Sequence, residues 1–286
     1  MLIKAKPKLD IVFKKLFTDI QNTDLLIDFI SCIIDVPKKD IYDITILDNE
    51  VLPESIDKKF SRLDVLLNSS QGTMNIEIQV NNYGNFKERS LYYWAKTFSN
   101  QLNESEDYSK LQKTIAINII DFNLFDCDEP HSVFFVSEKD RFELLTDKFR
   151  IDFLELKKAG NSKNPMLKEW LTFLSVTTEE ELDIMNTNTM NPEIIGKAIA
   201  VIRKMSADEK LLYDIQRREK AILDERSALN FAKNEGVVEG KAVGKAEGKI
   251  EGVDNLINQF NFSLTDALKA MNISESEYNE FKLLRK

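Results

Sequence analysis

With 286 residues, 43% of them hydrophobic and 30% charged, the chain has the composition of a folded globular protein, long enough for one large domain or two modest ones. Two cysteines, Cys32 and Cys127, imply no disulfide framework; a single histidine, His131, excludes zinc sites needing two or more and makes a serine-histidine hydrolase a poor fit. The formal net charge of −9 weighs against a tight, sequence-independent nucleic-acid binder, although Lys4, Lys6, Lys8, Lys14 and Lys15 make the first segment locally basic. Metal chemistry would then be carboxylate chemistry, which suits Mg²⁺ or Mn²⁺. No run of 18 apolar residues occurs, and the first residues are too charged for a signal peptide. A cytoplasmic protein without a membrane span is expected.

In chain order, Leu9, Val12, Phe13, Leu16 and Phe17 fall at helical spacing and predict a helix over 8–18. A second helix is expected at 22–34, capped by Asn22 or Thr23 and ended before Pro37. Its apolar run 29–34 reads Cys32 as a buried structural cysteine. Ile41 to Leu47 alternates as a strand, and 62–68 and 73–80 read as two strands around the turn 69–72. Leu91, Ala95, Phe98 and Leu102 predict a helix over 86–102, and Thr114–Ile120 a strand buried on both faces. Strands are expected at 132–136 and 149–156, with His131 in the preceding loop. The order implies an α/β protein with a mixed sheet and a crossover helix.

After about residue 160 the pattern is helical. Ser206-Ala207-Asp208-Glu209 reads as a capping box opening a long charged helix to about Ala232. Gly236, Gly240, Gly244, Gly248 and Gly252 then recur among Glu, Lys and Ala. Two readings stay open: a helix whose glycine ridge admits a close partner, giving a homo-oligomer through C-terminal helices, or a flexible charged linker. Residues 264–284 form a short helical tail, whose second helix carries Glu275, Glu277 and Glu280 and so suits packing rather than base reading. The expected divisions are 1–160, 161–234, 235–254 and 255–286.

The alternation along residues 62–80 sets one hairpin register. With 69–72 as the loop, residue i pairs with 141 − i, so Leu63, Val65 and Leu67 share an apolar face with Ile78, Ile76 and Met74. The other face pairs Asp64 with Glu77 and Arg62 with Gln79. Opposed carboxylates repel at a cross-strand separation of about 5 Å, and a divalent cation between them would remove the repulsion. An ordinary solvent-facing hairpin surface accounts for the same residues.

Five segments occur in a set order: Lys8-Leu9-Asp10-Ile11-Val12-Phe13-Lys14-Lys15-Leu16-Phe17; Arg62-Leu63-Asp64-Val65; Asn75-Ile76-Glu77-Ile78-Gln79; Glu88-Arg89-Ser90-Leu91-Tyr92-Tyr93-Trp94; and Tyr108-Ser109-Lys110-Leu111. Over roughly residues 4–160 this set resembles the Rpn family of recombination-promoting nucleases, also described as PD-(D/E)XK nuclease family transposases. The resemblance implies a restriction-endonuclease-like core, a mixed sheet flanked by helices, that cleaves DNA with Mg²⁺. It assigns Asp64 and Glu77 to the metal and to catalysis, adds Asp10 as a further acid, and puts Gln79 where the motif has lysine, as is usual for this family. Arg89, with Lys96 two turns along the same helix, would supply the missing positive charge. Tyr92 or Tyr93 would contact a phosphate oxygen, and core packing explains Tyr92, Tyr93 and Trp94 equally well. Two functions follow: a metal-dependent DNA endonuclease connected with recombination or mobile elements, or a nuclease-fold scaffold of weak or lost activity that binds DNA or partner chains.

Overall fold

The computed structural model describes residues 1–47, 64–82 and 84–284, so Arg62 and Leu63 of the expected hairpin lie outside the described residues. Two compact units are formed, Met1–Ile215 and Gln216–Lys286. The first opens with helices α1 (Asp10–Thr18) and α2 (Thr23–Ile34) and continues with strands β1 (Thr45–Leu47), β2 (Val65–Ser69) and β3 (Gly72–Gln79). Helix α3 (Phe86–Ser99) crosses to β4 (Thr114–Ile120), followed by β5 (His131–Phe134), β6 (Phe149–Glu155) and helices α4 (Pro165–Ser175), α5 (Glu179–Asn188) and α6 (Pro192–Ala207).

The six strands lie in the order β1-β2-β3-β4-β6-β5. β3, β4 and β6 run parallel, while β1, β2 and β5 pair antiparallel to their neighbours, which makes the mixed sheet expected from the element order. One face buries Val65, Leu67, Met74, Ile76, Ile115 and Ile117 against α1 and α2, in a core that α4, α5 and α6 share. The other face places Ala116, Ile120 and Phe153 under Phe86 of α3.

The hairpin has the register that its period of two dictates: Val65 faces Ile76 and Leu67 faces Met74. The turn is tighter than the expected four residues, since Ser69 already pairs with Gly72. Gly72 has φ +102°, and a Cβ there would come within 2.2 Å of the Lys113 carbonyl oxygen.

Elsewhere tertiary contacts override local signals. Asn22 does not cap α2; its buried amide donates to the Leu16 carbonyl (3.0 Å), and Asp19 caps the preceding turn through Gln21 N–H. The strand expected from Ile41 shrinks to Thr45–Leu47, with Asp43 at φ +55° just before it. In α3 the buried face is Phe86, Ser90, Tyr93 and Thr97, while Leu91 is exposed. Ser206 accepts the Ala5 N–H (3.3 Å) instead of opening a helix, and Asp208 caps the next one through Leu211 N–H (3.0 Å). His131 begins β5, where its ring meets Asp152 at 2.7 Å.

That next helix, α7 (Glu209–Phe260), runs far beyond Ala232 and contains all five glycines of the repeat. Leu211 and Ile215 belong to the core of the first unit. In the second unit Ala246, Ile250 and Val253 pack on α8 (Leu264–Ala270) and α9 (Glu275–Leu284) through Ala267, Leu268, Ile273 and Tyr278. Met271 lies against Gly252, whereas Cβ atoms at Gly236, Gly240, Gly244 and Gly248 would meet only open space.

Because Gly72 combines a positive φ with close approach to a neighbouring backbone, Gly72→Ala should lower stability by about 2 kcal/mol or more in urea unfolding. An unchanged midpoint would show that the turn relaxes around a Cβ.

Candidate active site

Alternation along β3 sends Met74, Ile76 and Ile78 to the main core and Asn75, Glu77 and Gln79 to the opposite face, beneath α3. Glu77 is therefore a carboxylate on an interior strand, only 4% exposed, with Asn118 of β4 beside it in register. Burial raises its pKa; Arg89 opposes that rise by charge and hydrogen bond. Arg89 Nη2 bonds Glu77 Oε1, and Nη1 donates to Gln79 Oε1 at 3.3 Å. The guanidinium carbon stands 5.8 Å from the centre of the Phe86 ring and 5.5 Å from that of Tyr93, so two aromatic faces hold it.

Asp64 precedes β2 by one residue. The ladder ends at Val65–Ile76, and the Asp64 carboxylate takes over the next donor, the Ile78 N–H, at 2.7 Å. Asp64 is pushed up to about 7, foremost by burial; the Ile78 N–H pulls it down, the charges of Glu77 and Asp10 raise it further, and Lys14 lowers it. Asp10, the first residue of α1, accepts its neighbouring Ile11 N–H at 2.8 Å and acts on Asp64 through its charge.

The fold thus brings Asp64, Glu77, Gln79 and Arg89 to one end of the β2–β3 pair, with Asp10 arriving from α1. Gln79 sits between Arg89 and the Asn81 carbonyl, to which its amide donates at 3.0 Å. Lys96 lies in the last turn of α3. Tyr93 is buried and Tyr92 half exposed, while Trp94 donates to the Thr114 carbonyl (2.8 Å) and packs on Phe149. Lys14 was legible only as part of a basic segment; its i, i+4 spacing from Asp10 is the signal that sets both on one side of α1.

The donor set suits a hard divalent cation. Mg²⁺ takes one or two protein carboxylates and completes its shell with water and substrate phosphate. Asp64 and Glu77 are the carboxylates that could supply such oxygens, and Asp64 has Glu77 and Asp10 as acidic neighbours. Among the described residues no three His, Cys, Asp or Glu side chains converge into a metal cage, and Glu77 is already engaged by Arg89.

A family model described as PD-(D/E)XK nuclease family transposase matches residues 7–232, a span that includes every residue of this cluster. No curated protein and no solved structure matches the chain.

A carboxyl whose folded pKa lies above its ordinary 3.8 holds a proton that the unfolded chain has lost, so its contribution to stability is present below that value and disappears as pH rises through about 7. The melting temperature in metal-free buffer should fall by several degrees between pH 5 and pH 8. Asp64→Asn should flatten that slope; an equal slope in both proteins would remove Asp64 as its source.

Proposed function

From the premise that the chain belongs to the PD-(D/E)XK nuclease family transposases, we propose that it is a metal-dependent endonuclease that hydrolyses DNA phosphodiester bonds, connected with recombination or mobile elements. The family supports a nuclease or transposase-associated function in general. The observation that carries the finer reading is the convergence of Asp64 and Glu77 at one sheet end, where Asp64 is held near pKa 7 among acids.

In this reading Asp64 and Glu77 hold Mg²⁺, or Mn²⁺ in its place, and Asp10 adds negative charge that favours the cation. Such an ion, when bound by these residues, would supply water activation and charge shielding at the phosphate. Arg89 supplies positive charge to the phosphate from its seat between Phe86 and Tyr93. Gln79 stands where the family motif has lysine; its amide orients water without contributing charge, and its bond to Arg89 keeps the two groups together. DNA is the partner, and no described helix is long and apolar enough to cross a membrane. Self-association through the C-terminal helices and a cytoplasmic location complete the proposal.

A second reading draws on two observations: Glu77 is bound to Arg89, and no group of three metal-ligating side chains forms among the described residues. It makes the chain a nuclease-fold scaffold of weak or lost activity that binds DNA or partner chains.

Plasmid cleavage with Mg²⁺, Mn²⁺ or EDTA separates the two. The endonuclease nicks or linearises DNA only with metal, Asp64→Ala abolishes the activity, and Arg89→Ala reduces it about 10²-fold. Mn²⁺ should also raise the melting temperature of the wild type at pH 8 and leave Asp64→Ala unmoved. DNA binding by a wild type that never cleaves would establish the scaffold.

A further inference from the structure

Three lysines flank or occupy α1, and they differ in what holds them. Lys8 bonds Asp121 (2.8 Å) and Lys15 bonds Asp208 (3.3 Å). Lys14 hydrogen-bonds no acid among the described residues. It is half-buried and one helical turn from Asp10. Its side chain also lines a cleft of about 430 Å³, walled by Ile11, Lys15 and Thr18 of α1 and by Lys210 and Leu211 of α7, all within the first compact unit. Asp208 and Asp214 lie in the same cleft, the former already paired with Lys15.

Lys14 acts on Asp64 through its charge, and half-burying an ammonium that has no hydrogen-bonded acid among the described residues costs free energy that an exposed lysine would avoid. Two features give that placement a use. Helix α1 packs on β2 and β3, so the side of the helix that carries Asp10 and Lys14 borders the end of the hairpin where Asp64 projects. Lys14 also lines the cleft, whose wall carries Lys210 as a further cation. A flexible ammonium at the junction of an acidic site and a cleft of this volume is a group able to bind one phosphate at the site's edge.

We propose that Lys14 contacts a backbone phosphate of the DNA strand whose scissile bond lies at Asp64, and that the α1–α7 cleft seats the adjoining stretch of that strand. The proposal rests on the endonuclease reading of the Asp64 site. It adds a second cation beside Arg89's, which compensates for the neutral Gln79 in the place of the motif's lysine.

The test is DNA binding by the full chain, measured by fluorescence anisotropy in Ca²⁺ across a salt series, beside cleavage in Mg²⁺. Lys14→Ala and Lys14→Gln should weaken binding about tenfold and reduce the slope of log K against log salt by about one phosphate contact, while Lys14→Arg restores both. Lys168→Ala, on α4, controls for loss of a surface charge and should bind as wild type does. Cleavage by the Lys14 variants should lose kcat/KM mainly through KM. Binding and salt slope unchanged in both neutral variants, with wild-type melting temperature, would overturn the proposal. If the wild type binds but does not cleave, the endonuclease reading fails, and a normal salt slope in Lys14→Ala would still separately refute the phosphate contact. A wild type that binds no DNA overturns both.

Discussion

A carboxylate in the middle of a sheet covered on both faces is the constraint around which this fold is arranged. Glu77 lies just past the end of the β2 ladder, with β4 beside it and α3 above it, and a carboxylate so enclosed is stabilised by a cation. Arg89 is that cation, and its placement determines much of α3. Phe86 and Tyr93, one turn before and one turn after it, enclose the guanidinium and also carry the helix's packing, Phe86 on Phe122 and Phe153 and Tyr93 on Leu66. Small polar residues, Ser90 and Thr97, complete the buried face. The crossover helix is thus fixed by electrostatics at one end and by aromatic packing along its length.

This explains which parts of the fold and site were legible in the sequence. The hairpin register was readable because Val65, Leu67, Met74 and Ile76 alternate strictly, and a slip by one residue would turn every one of them out of the core. Strand β4 was readable because a short, mostly apolar run has little use except between two covering layers. The face of α3 was not readable: its apolar residues suggest Leu91 and Ala95, whereas packing on the sheet puts Phe86, Ser90, Tyr93 and Thr97 inside. The misplaced caps have the same origin. Asn22 and Ser206 are good capping residues by type, but each finds a partner elsewhere, Leu16 and Ala5, and a contact 201 residues away in sequence leaves no local trace.

Helix α7 illustrates the converse. Its glycines weaken any isolated helix by about 1 kcal/mol each, and the open surroundings of Gly236 to Gly248 show that packing within the second unit does not offset this there. The tail recovers some of the loss: Ala246, Ile250 and Val253 bury against α8 and α9, and Met271 fills the space that the missing Cβ at Gly252 leaves. Sequence gave two alternatives for this region because the repeat contains both the composition of a linker and the spacing of a ridge. Continuous backbone hydrogen bonding from Glu209 to Phe260 selects the helix.

Asp64 stands apart from the buried acids whose carboxylates are hydrogen-bonded within the fold. Asp28 on α2 accepts from Trp170 Nε1 (2.7 Å) and Asn191 Nδ2 (3.1 Å) and pairs with Lys38. Asp152 receives Arg150 through both Nε and Nη2, at 2.8 Å each, and meets His131. Glu155 binds Lys158 and the Leu124 N–H. Each of these structural carboxylates is surrounded by donors, so its charge is compensated inside the fold. Asp64 has one hydrogen bond among the described residues, from Ile78, with Glu77 and Asp10 as repulsive neighbours and Lys14 acting only through its charge. Asp28, Asp152 and Glu155 are each met by at least two donors, whereas Asp64 lies among acids with one, and this contrast supports the cation site proposed for it.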